Sequence, residues 1–296
     1  MYKTTNADFP HDHKNFFVIL TYSCNQKCKF CLFRFSEIQD TQENTMVYKV
    51  RKVLSSHPET KFAVKLTGGE PFLKPSLLKK IIRVCGEYPN IHYVGIGTNG
   101  SLPVRNWIKE AKNPLHIYLS RHWTKEWGYP IEYFVKDNNY PLVEYRVNCN
   151  LIKGQVDSWD RMINHIEWIK SKGITFICFR ELNHLSLEND SMYPNYVSDY
   201  IKYYNTHLVP IKDLMKDAEK HGLVFHHHVT NGYDTNYVYI YDGIRVVFRV
   251  IDEQALLEFN KSTTEVDEYV LHPDGLLTGC WDRDTKVLEG GGIDAK

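Results

Sequence analysis

The sequence predicts an α/β fold in which βα units repeat around a parallel sheet, followed by a helical and β-hairpin extension. Three observations predict it. Between Phe16 and Phe179, short β-branched or aromatic runs alternate with amphipathic stretches. Within those stretches apolar residues recur at helical spacing, as Leu77, Leu78, Ile81, Ile82 and Cys85 do. Beyond Glu181 the alternation stops and turn pairs between extended runs take over.

Taken in order, Phe16 to Thr21 reads as a buried strand and Phe62 to Thr67 as the second. A Gly-Gly turn and a helix near Ser76 to Cys85 follow. The third strand, His92 to Gly97, leads into Thr98-Asn99-Gly100 and a short helix near Val104 to Ala111. The fourth is Leu115 to Leu119. The fifth, Val143 to Leu151, precedes a helix from about Asp157 whose Met162, Ile163, Ile166 and Ile169 form one stripe and which stops at Gly173. Ile174 to Phe179 is the sixth strand. An Asn-rich connection then runs to Asn189, before a helical stretch holding Tyr196, Tyr200, Tyr203 and Tyr204 and one more helix from Pro210 to His221. Asp242-Gly243 and Asp274-Gly275 read as hairpin turns, and Gly290-Gly291-Gly292 as a frayed end. This divides the chain into residues 1–225, carrying the βα units, and 226–296, a β-rich extension.

A length of 296 residues suits one large domain, or one domain with a small extension. Thirty-six basic and thirty-six acidic side chains cancel, so no overall field draws in a polyanion and long nucleic acid is not an expected partner. Lys49, Arg51 and Lys52 read as a solvated helix face. Neither a signal peptide nor a membrane-length apolar run is visible, and the expectation is a cytoplasmic protein with no membrane partner. Seven cysteines, three of them in one loop, argue against a disulfide framework and for a reducing compartment. Cys85, Cys149, Cys178 and Cys280 are scattered and read as buried small hydrophobes.

The chemistry lies in Cys24-Asn25-Gln26-Lys27-Cys28-Lys29-Phe30-Cys31, on the loop leaving the first strand. Three thiolates at this spacing can ligate three irons of a cubane and leave the fourth without a protein ligand. The competing reading is a zinc loop completed by a distant His. The C-x-x-x-C-x-x-C pattern, with an aromatic residue before the last cysteine, resembles the radical S-adenosylmethionine (SAM) superfamily. That resemblance implies a partial (β/α)6 TIM-like barrel with the site at the C-terminal strand ends. It also implies a [4Fe-4S] cluster on Cys24, Cys28 and Cys31, with SAM on the open iron. Reductive cleavage of SAM would release a 5′-deoxyadenosyl radical that abstracts a hydrogen atom from a small-molecule substrate, the electron coming from a reductase, flavodoxin or ferredoxin.

Gly68-Gly69-Glu70-Pro71 resembles the family's turn for the SAM amino group, its glycines letting backbone approach a ligand. Thr98-Asn99-Gly100 is equally readable as an ordinary turn. Ser120 occupies the family's serine position, but Arg121 and His122 depart from the frequent Ser-x-Asp pattern; Arg121 either clamps a carboxylate or caps the rim. By strand parity Arg146, Asn148 and Asn150 share a face, and the resemblance assigns the Asn to SAM. Arg180, at the sixth strand end, is an anion candidate whose alternative is a salt bridge.

His226, His227 and His228 do not form a metal site on this reading, since neighbours on a strand point to opposite faces. The run Arg146-Val147-Asn148, followed by Leu151-Ile152-Lys153-Gly154, resembles the molybdenum-cofactor and SPASM-like branch, and the segment Leu271 to Trp281 resembles the hairpin opening auxiliary-cluster domains in SPASM and twitch enzymes. No cysteine follows Cys280, so one cluster is expected, with Cys280 a core or pocket residue. The alternatives are modification of a nucleotide, a DNA base or an amino-acid derivative by the same chemistry, and a non-catalytic iron–sulfur or zinc module.

Overall fold

The computed structural model describes residues 13–31, 38–103, 106–122, 131, 140–182, 197–252, 254–256, 258, 266, 268–281, 283 and 286–289. Tyr196, the Asn-rich connection up to Asn189 and the Gly290-Gly291-Gly292 segment lie outside the described residues.

Six strands pair in parallel and in chain order: β1 (Lys14–Ile19), β2 (Phe62–Thr67), β3 (Ile91–Thr98), β4 (Leu115–Ser120), β5 (Val143–Asn150) and β6 (Phe176–Arg180). They form an open partial barrel. Because strand side chains alternate, one face of each strand joins the outer core and the other turns inward, where polar residues stand beside apolar ones such as Ile19, Phe176 and Cys178. Val18, Val64, Ile117, Val147 and Phe179 join one continuous core with the outer helices α1 (Glu43–Ser56), α2 (Pro75–Cys85) and α3 (Trp159–Ser171). Lys65, His116, Arg146, Asn148 and Arg180, of opposite parity, turn into the lumen.

Helix α2 starts at Pro75, where a missing N–H is harmless, and buries Leu77, Leu78, Ile81, Ile82 and Cys85. Helix α3 buries Met162, Ile166 and Ile169 and gives way to Gly173 at φ +76°. The short helix expected near Val104 to Ala111 is a 3-10 turn at Asn106–Glu110. The tyrosine-rich segment forms α4 (Val197–His207). The single helix expected from Pro210 to His221 is divided into α5 (Ile211–Met215) and a 3-10 turn, Glu219–His221, closed by Gly222 at φ +82°.

The C-terminal extension continues the same sheet. Strands β7 (Val224–Asn231), β8 (Asp234–Tyr241) and β9 (Ile244–Ile251) form an antiparallel meander, and β9 runs parallel to β6. The β8–β9 turn holds Asp242 and Gly243 at φ +43° and +79°, the backbone that an Asp-Gly hairpin favours. On the far side β10 (Glu268–Leu271) lies parallel to β1 and leads into the short strands β11 (Leu277–Thr278) and β12 (Val287–Glu289). The sheet order is therefore β12-β11-β10-β1-β2-β3-β4-β5-β6-β9-β8-β7. The boundary expected at residue 225 falls inside β7. Among the described residues no backbone ladder joins β9 to β10, but the Tyr233 hydroxyl reaches both Glu268 carboxylate oxygens at 3.3 and 3.4 Å. No helix among the described residues is long and apolar enough to cross a membrane.

Candidate cluster and cofactor site

Cys24, Cys28 and Cys31 are half-buried on the loop after β1. Three neighbours hold that loop. The glycine turn after β2 donates from Gly69 N to Thr21 O at 2.8 Å and from Glu70 N to Ser23 O at 2.9 Å. A Cβ on Gly69 would stand 2.0 Å from Ser23 O, and one on Gly68 2.2 Å from Thr21 O. The close approach that these glycines permit is thus between two loops, where the sequence reading had placed a ligand.

The second support is the turn after β3. Asn99 Nδ2 donates to Asn25 Oδ1 at 2.9 Å and lies 3.6 Å from Cys24 Sγ, while Asn25 Nδ2 reaches Ser101 Oγ at 2.7 Å. Gln26 N also points at Cys24 Sγ, at 3.4 Å. Two N–H groups aimed at one sulfur suit a metal-bound thiolate, whose charge such donors stabilise. Thr98-Asn99-Gly100, ambiguous in sequence, is therefore a buttress of the cysteine loop.

The third support is His122. Its ring meets Phe30 edge-on at 4.9 Å between centroids, and its Nδ1 accepts from Asn150 N at 2.9 Å. Burial, reinforced by Arg180, pushes its pKa down to about 3, so the imidazole is a neutral acceptor. The sequence offered His122 only as a departure from a pattern; its contact with Phe30 is long-range.

Glu70 is fully buried. Its carboxylate accepts from Phe72 N at 3.0 Å, Thr98 Oγ1 at 2.8 Å and Asn99 N at 2.8 Å, which ties the end of β2 to the end of β3. Burial raises its pKa while those donors oppose the rise. Arg121 is also buried, and its guanidinium donates to Asn99 O and Ser120 O, both at 2.9 Å, beneath Gly100. Of the two roles open to Arg121 in the sequence, its placement matches the rim cap.

The remaining site residues separate by height in the barrel. Ser120, Asn148 and Cys178 are strand partners on the lumen face, and one step further along Asn150 pairs with Arg180. Asn148 Oδ1 is buried with no hydrogen-bond partner among the described residues. Arg146 sits lower, near the N-terminal strand ends, where its Nη2 donates to Glu144 at 2.6 Å and its guanidinium lies 4.6 Å from the Phe176 ring centre. It is thereby separated from the rim where the other expected cofactor residues gather. Cys149 faces the outer core, and Cys178 packs with Phe176, Val238 and Val247.

Cys280 is fully buried, its carbonyl accepting from Thr278 Oγ1 at 2.6 Å. The alternation assumed for the three histidines is broken by a β-bulge between Phe225 and His227, which brings the His226 and His227 rings into contact, Nδ1 to Nδ1. Two further contacts with the loop are not visible in the sequence. Tyr203 of α4 lies near Cys28, its hydroxyl pKa raised by burial and by that thiol. Tyr22 and His272 form a buried bond beside the loop.

Residues 18–121 match the family model described as Radical SAM superfamily. This stretch, about a third of the chain, thus matches a radical SAM domain. The family implies SAM and an iron–sulfur cluster. Among the described residues no three His, Cys, Asp or Glu side chains are gathered into a metal-holding group; what suits thiolate ligands here is the chemistry of the loop, with three thiols on one buttressed segment and two N–H donors on Cys24 Sγ, and Asn148 Oδ1 in the lumen has no partner among the described residues. Molybdenum cofactor biosynthesis protein 1 of Dictyostelium discoideum is 24% identical over 188 residues, 56% of this chain and 28% of that protein. The match thus spans under a third of that relative's length.

Among solved structures, native anSMEcpe with bound AdoMet and Cp18Cys peptide is similar at TM-score 0.51 and 18% identity, over 90% of this chain and 73% of that one. Streptococcus suis SuiB bound to S-adenosylmethionine is similar at TM-score 0.57 and 13% identity, over 91% and 60%. At these identities the likeness shows a shared fold.

Proposed function

We propose that Cys24, Cys28 and Cys31 hold a single [4Fe-4S] cluster, that SAM lies between it and the rim formed by Gly68, Gly69, Ser120, Asn148 and Asn150, and that the enzyme removes a hydrogen atom from a small-molecule substrate in the lumen. The observation that carries this reading is the cysteine loop itself, with two N–H donors on Cys24 Sγ and backbone bonds from the glycine turn. When bound, the cluster and SAM supply an electron and a 5′-deoxyadenosyl radical. The chain positions and shields. Glu70 and Arg121 lock the turns that frame the cofactor, and Asn148 Oδ1 offers an acceptor to a ligand donor. The lumen face supplies polar contacts for the substrate. The electron would come from a reductase, flavodoxin or ferredoxin in a reducing cytoplasm.

A peptide substrate is the second reading, favoured by the likeness to anSMEcpe, with its bound peptide, and to SuiB, whose structures include one bound to precursor peptide SuiA. Anaerobic reconstitution tests the first element of both. Wild type should take up a four-iron cluster, bind SAM and release 5′-deoxyadenosine under reductant. Cys28→Ala should keep the wild-type circular dichroism spectrum and lose both iron and SAM cleavage. Full SAM cleavage in that variant would refute the assignment, as would stoichiometric zinc in wild type.

A further inference from the structure

The lumen holds charges that the proposed cofactor site leaves unassigned. Lys65 on β2, Arg180 on β6 and Arg249 on β9 all turn inward, and Arg180 and Arg249 are direct strand partners in the β6–β9 ladder. Partners in a ladder lie about 4.8 Å apart along the hydrogen-bond direction, and like charges placed so are destabilising. Lys65 approaches from the opposite wall, close enough for both arginines, Asp234 and Glu268 to act on its ammonium group. Strand β2 is paired with neither β6 nor β9, so only curvature of the sheet brings these cations together.

The acids nearby do not balance them. Asp234 is the partner of Arg249. Glu268 receives the Tyr233 hydroxyl, and burial pushes its pKa up to about 7, leaving it only partly ionised at neutral pH. Neither Lys65 nor Arg180 makes an ion pair with any described residue, and Arg180 Nε is buried without a hydrogen-bond partner among them. Burial, then Arg249, pushes the Lys65 pKa down to about 8. The place is nevertheless wet: the Arg249 side chain keeps 27% exposure inside the barrel, and Lys65 and Arg180 are only half-buried.

We propose that Lys65, Arg180 and Arg249 form an oxyanion subsite in the barrel lumen, and that the substrate carries a carboxylate or phosphate held between them. An anion there would relieve the arginine–arginine repulsion and supply an ion partner that Lys65, over the Phe17 ring at 5.1 Å, and Arg180 do not have among the described residues, through charge-assisted hydrogen bonds. The subsite lies on the lumen face one strand from Asn150, which places the rest of the substrate toward the cofactor rim. That this anion is a substrate's rests on the radical SAM reading given above.

The test titrates inorganic phosphate and, separately, succinate into the reconstituted protein, read by calorimetry and by the shift in thermal midpoint. Wild type should bind at least one of them, tighter phosphate binding indicating a phosphate-bearing substrate and tighter succinate binding a carboxylate. Arg180→Gln removes a cation with no ion partner among the described residues to orphan, and should weaken binding about tenfold or more. Arg249→Gln should do the same, with Arg180→Gln decisive if loss of the Asp234 partner unfolds it. Lys220→Gln, on the exposed surface, should bind as wild type does. Failure of wild type to bind either ion below about 10 mM overturns the subsite, as does unchanged affinity in Arg180→Gln. Iron content and SAM binding, measured on the same wild-type protein, report separately on the cluster. Loss of anion binding with those intact removes the subsite alone; anion binding without a cluster removes the radical SAM reading and leaves the subsite standing.

Discussion

The phenol of Tyr22 and Nδ1 of His272 meet at 2.8 Å in the interior, joining the stem of the cysteine loop to the end of β10 across 250 residues of chain. His272 Nε2 lies 3.1 Å from Thr278 Oγ1, which in turn donates to Cys280 O at 2.6 Å. The network assigns Tyr22 as donor to Nδ1 and Nε2–H as donor to Thr278. Burial pushes the Tyr22 pKa up to about 12 and the His272 pKa down to about 4, so both stay neutral and the order of donors holds at ordinary pH. The C-terminal hairpin is in this way a fourth support of the cysteine loop.

Tyr22→Phe removes the donor and leaves a buried imidazole acceptor unpaired, which costs about 1–2 kcal/mol. The expected result is a lower denaturation midpoint together with faster amide exchange in residues 20–31. Unchanged exchange there would show that the hairpin does not restrain the loop.

Gly69→Ala places a methyl carbon against Ser23 O with no flexible side chain to yield. The variant should fail to retain iron after reconstitution, because the turn must withdraw from the loop. Gly154→Ala is the comparison: its φ of +85° is unfavourable for Ala, but nothing lies within 4 Å. It should lose about 1 kcal/mol of stability and keep its iron. Equal iron contents in the two variants would contradict the packing role of Gly69.

Glu70→Gln replaces a three-donor acceptor with an amide that must turn an NH2 toward at least one of Phe72 N, Thr98 Oγ1 or Asn99 N. A loss of about 1–3 kcal/mol follows from the unsatisfied donors, seen in chemical denaturation. Since Asn99 also reaches Cys24 Sγ, the visible absorption of the reconstituted cluster should change in the same variant.

Acid should destabilise the fold between pH 6.5 and 4. Burial pushes His165 and His272 down to about 4, so over that window the unfolded chain binds protons that the native one does not, and stability falls as pH falls. Glu268 works the other way. Its native pKa of about 7 lies above the unfolded value, so its contribution is fully present below about 4.5 and is lost as pH rises through 7. Glu268 and Glu70, which burial also raises, oppose His165, His272 and the still more depressed His122 and His116, so the net slope is set by the four histidines. Denaturation midpoints of cluster-free protein at pH 7 and pH 5 should differ in that direction.

Strand positions, the α2 stripe, the Asp-Gly turns and the cysteine loop were legible in the sequence because each rests on a periodicity or spacing within a few residues. Parity along β5 likewise separated Asn148 from Cys149. What parity could not supply was height in the barrel, which puts Arg146 with Glu144 and Asn148 near the rim. It also could not anticipate the bulge that joins His226 to His227.

By itself, then, the sequence determined a βα-repeat fold and a three-thiol loop of the radical SAM kind, since both depend on residues adjacent in the chain. Only the tertiary structure decided what supports that loop and what the lumen presents. Phe30 against His122, Tyr22 against His272, and Lys65 facing Arg180 and Arg249 become neighbours only when the sheet curves and its last strands pair at both ends of the parallel set. Contacts made by curvature leave no mark at short range in the sequence.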